Sequence, residues 1–457
     1  MANNIVTVNV TQQQAPAPST LQRSGALISQ GGTNTAPGTL TLLTQLSDLT
    51  SILSTAKAIA TLTWATSTVT ITTTAPHGWN LGDTVGIVVA GASPSGYNGT
   101  FQGTVTGTST VTYPLASNPG LNTVPGTVIL ADEAELLAMG TTFFAQGAAT
   151  SVYVLELGEG APSAGVSALQ SWITANPGTV YSYLVPKEWD ANSSFLTFLA
   201  GFEATTSKTY FFVTTTTGTY TSYTALMKCV FAFIPSPTAP ASEFSCAAPF
   251  YVTLNWNPGS ANQVTQLSFA YLYGVTPYPV RGNAALLSTL KAANINIVGT
   301  GAEGGISTSV LFWGHTMDGN PFNYWYSVDW SQINTDLSLS NAVINGSNNP
   351  LAPLLFDQNG INVLQDTATR TFSSAVTYGL AIGSVNQTQL PTSMFVQNFQ
   401  AGLYTNQLVI NAEPFSVYIA ENPNDYAIGR YAGLSAIFTP ARGFEQIIVA
   451  LNVTNFV

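Results

Sequence analysis

Charge is what this sequence has least of. Across 457 residues only 7% are Asp, Glu, Lys or Arg, against roughly a quarter in an ordinary soluble protein. Neutral Thr, Ser, Asn, Gln and Gly must therefore cover the surface, a composition suited to lasting contact with neighbours. Cations are scarcer still: 10 Lys and Arg against 21 Asp and Glu give a net charge of −11. That leaves no basic patch to neutralise phosphates, so no nucleic acid partner is expected. Two cysteines, Cys229 and Cys246, make no disulfide framework and are expected as buried thiols in a reducing compartment. Long apolar runs are missing too. Nothing approaches the roughly 18 residues of a membrane span, and "MANNIVTVNV" has neither the basic n-region nor the apolar h-region of a secretion signal. The expectation is a soluble product made in a cytoplasm, without membrane insertion, whose Asn-x-Ser/Thr triplets, such as Asn98-Gly-Thr, are chance matches.

Catalytic constellations are also lacking. His77 and His315 are the two histidines, one in a turn beside Pro76 and Gly78, the other in an expected hairpin. No Cys and His cluster has zinc spacing, and no nucleophile elbow or phosphate-cradling GK[ST] loop occurs. Gly299, Gly301 and Gly304 fit G-x-G-x-x-G after a strand. The residues behind them, "ISTSVLFW", read as another strand and not as the helix whose N-terminus would hold a pyrophosphate, so the match reads as a glycine-rich turn. The aromatics Tyr324, Trp325, Tyr326 and Trp330 in "FNYWYSVDW" read as core or subunit interface before they read as a sugar platform. Asp329 and Asp336 read as solvated carboxylates. The expected protein is no enzyme and has no cofactor and no metal.

Present instead are apolar strands at both ends. "NNIVTVNVTQ" places Val6, Val8 and Val10 on one face, and "FEQIIVALNVTNFV" does the same with Ile447, Val449, Leu451 and Val453. Such edges invite association. Burying Ile5, Val6, Val8 and Val10 contributes roughly 6 to 12 kcal/mol, while ordering about eight residues costs on the order of 8 to 16 kcal/mol. The first segment should therefore order only by adding a strand to an acceptor sheet. Behind it, "TQQQAPAPSTLQ" reads as an extended tether that reaches about 37 Å at about 3.1 Å per residue.

The interior divides by pattern. "SDLTSILSTAKAIA" offers Ser47 or Asp48 as a cap for a short helix to about Ala60. From Thr61 to Val128 short β-branched runs broken by Gly, Pro and Asn, with an Asn98-Gly99 hairpin signal, read as a small all-β module. "ADEAELLAMGTTFFAQG" is helical, with Leu136, Gly140, Phe143 and Phe144 on one stripe. Strand and helix then alternate through "TSVYVLEL", "SAGVSALQSWITANPG", "TVYSYLVP", "SSFLTFLAGFEATT" and "KTYFFVTT", which argues for an open α/β sheet. "RGNAALLSTLKAAN" and "INIVGTG" extend it by a helix and a strand. In the last third, "STSVLFWGHTM", the Asp318-Gly319 turn and "FNYWYSV" suggest a hairpin, "GINVLQDTATRTFSSAVTYG" a long helix, and "PFSVYIA" with the final strand an antiparallel sheet.

Three segments together resemble the contractile tail sheath proteins of bacteriophages and related injection machines. They are "GALISQGG…TLTLLTQLSDLTSIL", "FFAQGAATSVYVLEL" and the close "NPNDYAIGRYAGLSAIFTPARGFEQIIVALNV". The chain departs from that pattern at Glu156 and Trp330, where the family commonly has arginine, and in the Thr61 to Val128 module, which the simplest relatives lack. The resemblance implies stacked hexameric rings in a helical tube around a tail tube protein, with baseplate and tail terminator proteins as further partners and the virion as location. Contraction would drive the tube through a cell envelope, and terminal strands, here Ile5, Val6, Val8 and Val10 and Ile447, Val449, Leu451 and Val453, would be exchanged between subunits. The expected fold class is a multidomain α/β and α+β chain. Residues 1–22 are an N-terminal strand and linker arm, 23–60 and 131–300 an open α/β sheet body, 61–130 an inserted small all-β domain on the outer surface, and 301–457 a C-terminal α+β domain facing the inner tube and ending in an exchange strand. The alternative is a baseplate protein or surface adhesin that binds glycans through the β module.

Overall fold

The computed structural model describes residues 20–445, apart from 54, 55, 80, 159, 204–207, 224–226, 260, 280–282 and 301–308. Within it the chain is mixed α/β and separates into two compact units, one built mainly from residues 21–257 and 265–325, the other from 258–264 and 326–441.

The first unit opens with β1 (Gly25–Ser29), β2 (Leu40–Leu43) and α1 (Leu46–Ile52). The Asp48 carboxylate accepts hydrogen bonds from the backbone N–H groups of Thr44 and Gln45 at 2.8 and 3.2 Å, so Gln45 stands at the cap position and not Ser47 or Asp48. Helix was expected to continue to Ala60. It stops at Ile52 because Lys57 onward is drawn into a barrel made of β3 (Lys57–Ala65), β4 (Thr68–Thr73), β5 (Thr84–Ala90), β6 (Gly99–Gly107), β7 (Thr110–Pro114) and β8 (Thr127–Leu130). These strands close in the order β3-β4-β7-β6-β5-β8. Alternate residues such as Val69 and Ile71, Ile87 and Val89, and Val111 and Tyr113 fill the inside, as period-two patterning requires. Thr66 and Ser67, both at positive φ, make the tight turn between β3 and β4. The Asn98-Gly99 hairpin expected from sequence is not one. Asn98 ends a longer loop, where its side-chain amide bonds back to the N–H and carbonyl of Ala92 at 2.8 and 2.9 Å.

β8 runs without a loop into α2 (Ala131–Ala145), followed by β9 (Val152–Glu156), α3 (Pro162–Ala175), β10 (Ser182–Leu184), α4 (Ser193–Glu203), β11 (Tyr210–Thr214), β12 (Val230–Phe233), α5 (Ala247–Asn255), α6 (Ala284–Ala292), β13 (Ile297–Thr300) and β14 (Ser309–Phe312). The sheet order is β12-β11-β10-β1-β9-β2, parallel except for β2, which runs antiparallel to β9. Successive residues serve opposite faces. Phe211 packs on Phe195 and Phe198 of α4, while Phe212 packs on Phe250 of α5 at 5.0 Å. On α2, Gly140 lets α1 approach closely, since a Cβ there would lie 2.2 Å from Leu49 Cδ2.

The second unit contains most of α7 (Phe322–Ser347), then α8 (Gln358–Thr377), β15 (Ala381–Ile382), β16 (Ser384–Thr388), α9 (Thr392–Gln400), β17 (Gln407–Ala412), α10 (Phe415–Glu421), α11 (Pro423–Ala427), β18 (Leu434–Ile437) and β19 (Thr439–Pro440). Two expectations fail here. "FNYWYSV" is the start of α7 and not a hairpin strand, because Phe322, Tyr326 and Trp330, all buried, recur at four-residue spacing on one helical stripe. β14 pairs instead with β13, Ile297 opposite Phe312. "PFSVYIA" is helix α10, started by Pro414, with Phe415 and Tyr418 turned onto Phe356.

Candidate functional site

The second unit carries a three-stranded sheet in the order β16-β17-β18. β17 lies at its centre, parallel to β16 and antiparallel to β18, with Leu408 to Ala412 buried. Gln365 of α8 ties the sheet down, donating from Nε2 to the carbonyls of Thr388 and Ile410 at 2.8 and 3.0 Å. The two outer strands differ in chemistry. β16 reads Ser-Val-Asn-Gln-Thr, and its Gln387 is already bonded to Asp366 and Thr369 at 2.9 Å. β18 reads Leu-Ser-Ala-Ile, is only half-buried, and has no strand on its far side among the described residues. An apolar edge of this kind is a template for another strand.

Beside β18 lies an apolar groove of about 370 Å³ between α7, α8 and the strand, lined in part by Leu339, Phe372, Leu434 and Phe438. Ser331 and Thr335 of α7 also line it, with their hydroxyl oxygens, Oγ and Oγ1, withdrawn from its surface. Both are buried without a hydrogen-bond partner among the described residues. What the groove offers an incoming segment is therefore apolar contact. The signal in sequence is the short, largely apolar run after Gly433 and before Pro440.

The sequence-predicted exchange residues Ile5, Val6, Val8, Val10, Ile447, Val449, Leu451 and Val453 lie outside the described residues. The aromatic cluster falls on α7: Tyr326 and Trp330 are buried, Trp325 donates to Asp318 at 2.8 Å, and Lys228 sits 5.1 Å from the centre of the Trp325 ring. Asp329 is buried and Asp336 exposed. Gly299 lies in β13, paired with Val310 of antiparallel β14.

In the first unit, winding reverses at β1, which pairs with β9 on one side and β10 on the other. Open α/β sheets bind ligands at the carboxyl ends of such strands. A crevice of about 780 Å³ lies there, between barrel and sheet, lined by Asp83, Asp132, Glu135, Glu188 and Lys187 among others. Outside this lining the Trp189 indole N–H donates to Gln30 Oε1, and Gln30 Nε2 donates at 3.2 Å to the carbonyl of Gly160, a lining residue. Burial raises the Glu135 pKa although the Lys187 N–H donates to its carboxylate at 2.7 Å. Nearby Glu156 is buried and accepts from Ser29 Oγ, Thr33 Oγ1 and the N–H groups of Gly31, Thr33 and Gly158 at 2.7–3.2 Å. It organises the loop after β1. His77 is buried in the barrel against Trp79, ring centroids 4.6 Å apart, and desolvation lowers its pKa. Among the described residues no three His, Cys, Asp or Glu side chains are grouped to hold a metal, and no helix is long and apolar enough to cross a membrane.

No protein-family model and no curated protein matches the chain. Solved structures do. A chain in the cryo-EM structure of the anti-feeding prophage baseplate, 6-fold symmetrised, shares the fold with a TM-score of 0.55 at 11% identity, over 99% of this chain and 100% of that one. A chain from the same baseplate in contracted state aligns with a TM-score of 0.41 at 11% identity, over 98% and 97%. At such identities the likeness is one of fold.

Proposed function

We propose that the chain is a structural subunit of a contractile injection machine, and specifically a tail sheath subunit that stacks as hexameric rings around an inner tube and contracts to drive that tube through a cell envelope. The carrying observation is the fold correspondence with a chain of a six-fold baseplate from end to end. The open apolar edge of β18 and its groove supply the acceptor that the terminal strands require. A strand given to one neighbour and accepted from another makes a heterologous contact, which propagates into a lattice and does not close as a dimer. The surface, short of charge, suits such burial. Work would come from the difference in contact energy between two lattices, so the role is structural and not enzymatic, with the tube, baseplate and terminator proteins as partners and the virion-like particle as location.

That the matched chain belongs to a baseplate favours a second reading, a baseplate ring subunit with the same exchange chemistry. Negative-stain electron microscopy of the purified chain separates the two. Long tubes are expected for a sheath, and discrete six-fold rings would replace it by the second reading. A chain that stays monomeric at high concentration would sink both.

A further inference from the structure

At the end of the described chain two residues, Arg442 and Glu445, are bonded to the first unit. Arg442 donates from Nη2 to Asn320 Oδ1 at 2.6 Å and lies 5.1 Å over the Tyr324 ring. At Gly443 the backbone passes directly against the side-chain amide of Gln266. Phe444 points outward, 75% exposed. Glu445 Oε1 is 2.7 Å from His315 Nε2, and its Oε2 is 3.7 Å from Lys291 Nζ.

The receiving side is rigid. His315 is buried, its N–H donates to Asn296 Oδ1 at 2.8 Å, and its carbonyl accepts from Asn296 Nδ2 at 2.7 Å. Asn296 is itself fully buried. The other imidazole nitrogen, Nδ1, is buried without a partner among the described residues, so Glu445 is the hydrogen-bond partner of this ring. Lys291 is more exposed and contributes little beyond a general attraction.

We propose that Arg442–Glu445 is a strap, a positioning device that fixes where the chain stands as it enters residues 446–457. This rests on the reading that Ile447, Val449, Leu451 and Val453 form an exchange strand. A strand that must find an acceptor on another subunit does so with less entropic cost when its origin is fixed. Hydrogen bonds and a half-exposed ion pair shift a local equilibrium by only about three- to tenfold, so the strap orders the take-off point and still releases.

Hydrogen exchange followed by mass spectrometry on the soluble full-length chain reads the strap without any assembly. Glu445→Ala and Arg442→Ala should each speed exchange at residues 442–445 by about three- to tenfold. Glu445→Gln, which keeps an acceptor for His315, should do so less, with the barrel and sheet unchanged in all three. Identical exchange in wild type and both alanine variants overturns the strap. Electron microscopy of the same variants reads its consequence: particles with irregular subunit spacing are expected, and particles indistinguishable from wild type overturn the positioning role. A wild-type chain that never assembles instead removes the proposed function and leaves the strap to be decided by exchange alone.

Discussion

Glu133 shows what a sparse charge set does at single positions. It sits in the first turn of α2, directly after the barrel's last strand, and is 6% exposed. Burial pushes its pKa up to about 7, partly offset by Lys57. The folded chain therefore holds a proton that the unfolded chain, with an ordinary glutamate pKa near 4.5, has already released. Stability from this group is full below about pH 4.5 and is lost as pH rises through about 7, by up to about 3 kcal/mol. Urea unfolding of wild type and Glu133→Gln between pH 5 and pH 8 should show the two diverging as pH rises, with the variant the more stable at pH 8; parallel curves would refute the assignment. The thiols make a second case. Burial pushes Cys229 up to about 12 and Cys246 further still. An aromatic disulfide reagent at pH 8 should leave both unreacted in the folded chain and titrate both in urea. The sequence made these thiols legible as buried. It did not mark Glu133, because the two acidic residues of a first helical turn, Asp132 and Glu133, look like solvated dipole partners until the barrel covers one of them.

Among the elements, β18 carries the argument for association, and it can be altered without touching a core. Ala436 is exposed although it lies in the ladder opposite Ile410. Ala436→Lys places a solvated charge on the edge, the device by which natural sheets block pairing. The unfolding free energy should move by no more than about 0.5 kcal/mol, while particles disappear from electron micrographs; undiminished assembly would exclude this edge as acceptor. Ser331→Ala tests the groove from the other direction. Removing a buried, unpaired hydroxyl should leave the monomer as stable or slightly more so in urea unfolding, with assembly unchanged, whereas a loss of more than about 1 kcal/mol would show that the oxygen is paired. Sequence patterning made other elements plain. β4 and β5 alternate cleanly because one face lines a closed barrel, and α8 has both its N-cap Asp357 and a continuous buried stripe. It misled at α7 and α10, where aromatic and β-branched residues favour strand locally while the long-range partners Phe356 and Trp256 reward a helical stripe. β18 is illegible in the sequence because its four residues, none of them buried, carry almost no periodicity.

For the whole molecule, the crevice at the winding reversal depends on pairs such as Gln30 and Trp189, which are brought together from 159 residues apart and have no local signature. The barrel that roofs it poses a question of its own, since a closed barrel buries its own core and should not need the body. The geometry of its attachment permits a direct test. Its first and last strands pair with each other, Lys57 opposite Val128 and Ala58 opposite Thr127, so the chain enters and leaves at neighbouring points, about 5 Å apart as ladder partners are. Replacing residues 57–130 by a short Gly-Ser linker therefore has little gap to bridge, and loop closure of a few residues costs little. The sheet β12-β11-β10-β1-β9-β2, whose cluster around Phe195, Phe211 and Trp189 contains no barrel residue, should remain folded, with circular dichroism losing β signal and retaining helix. Because β18 and the strap at Arg442–Glu445 are untouched, the shortened chain should still assemble into particles. A shortened chain that folds but fails to assemble would instead make the barrel part of the subunit contact and would move the site of association away from the second unit's sheet edge.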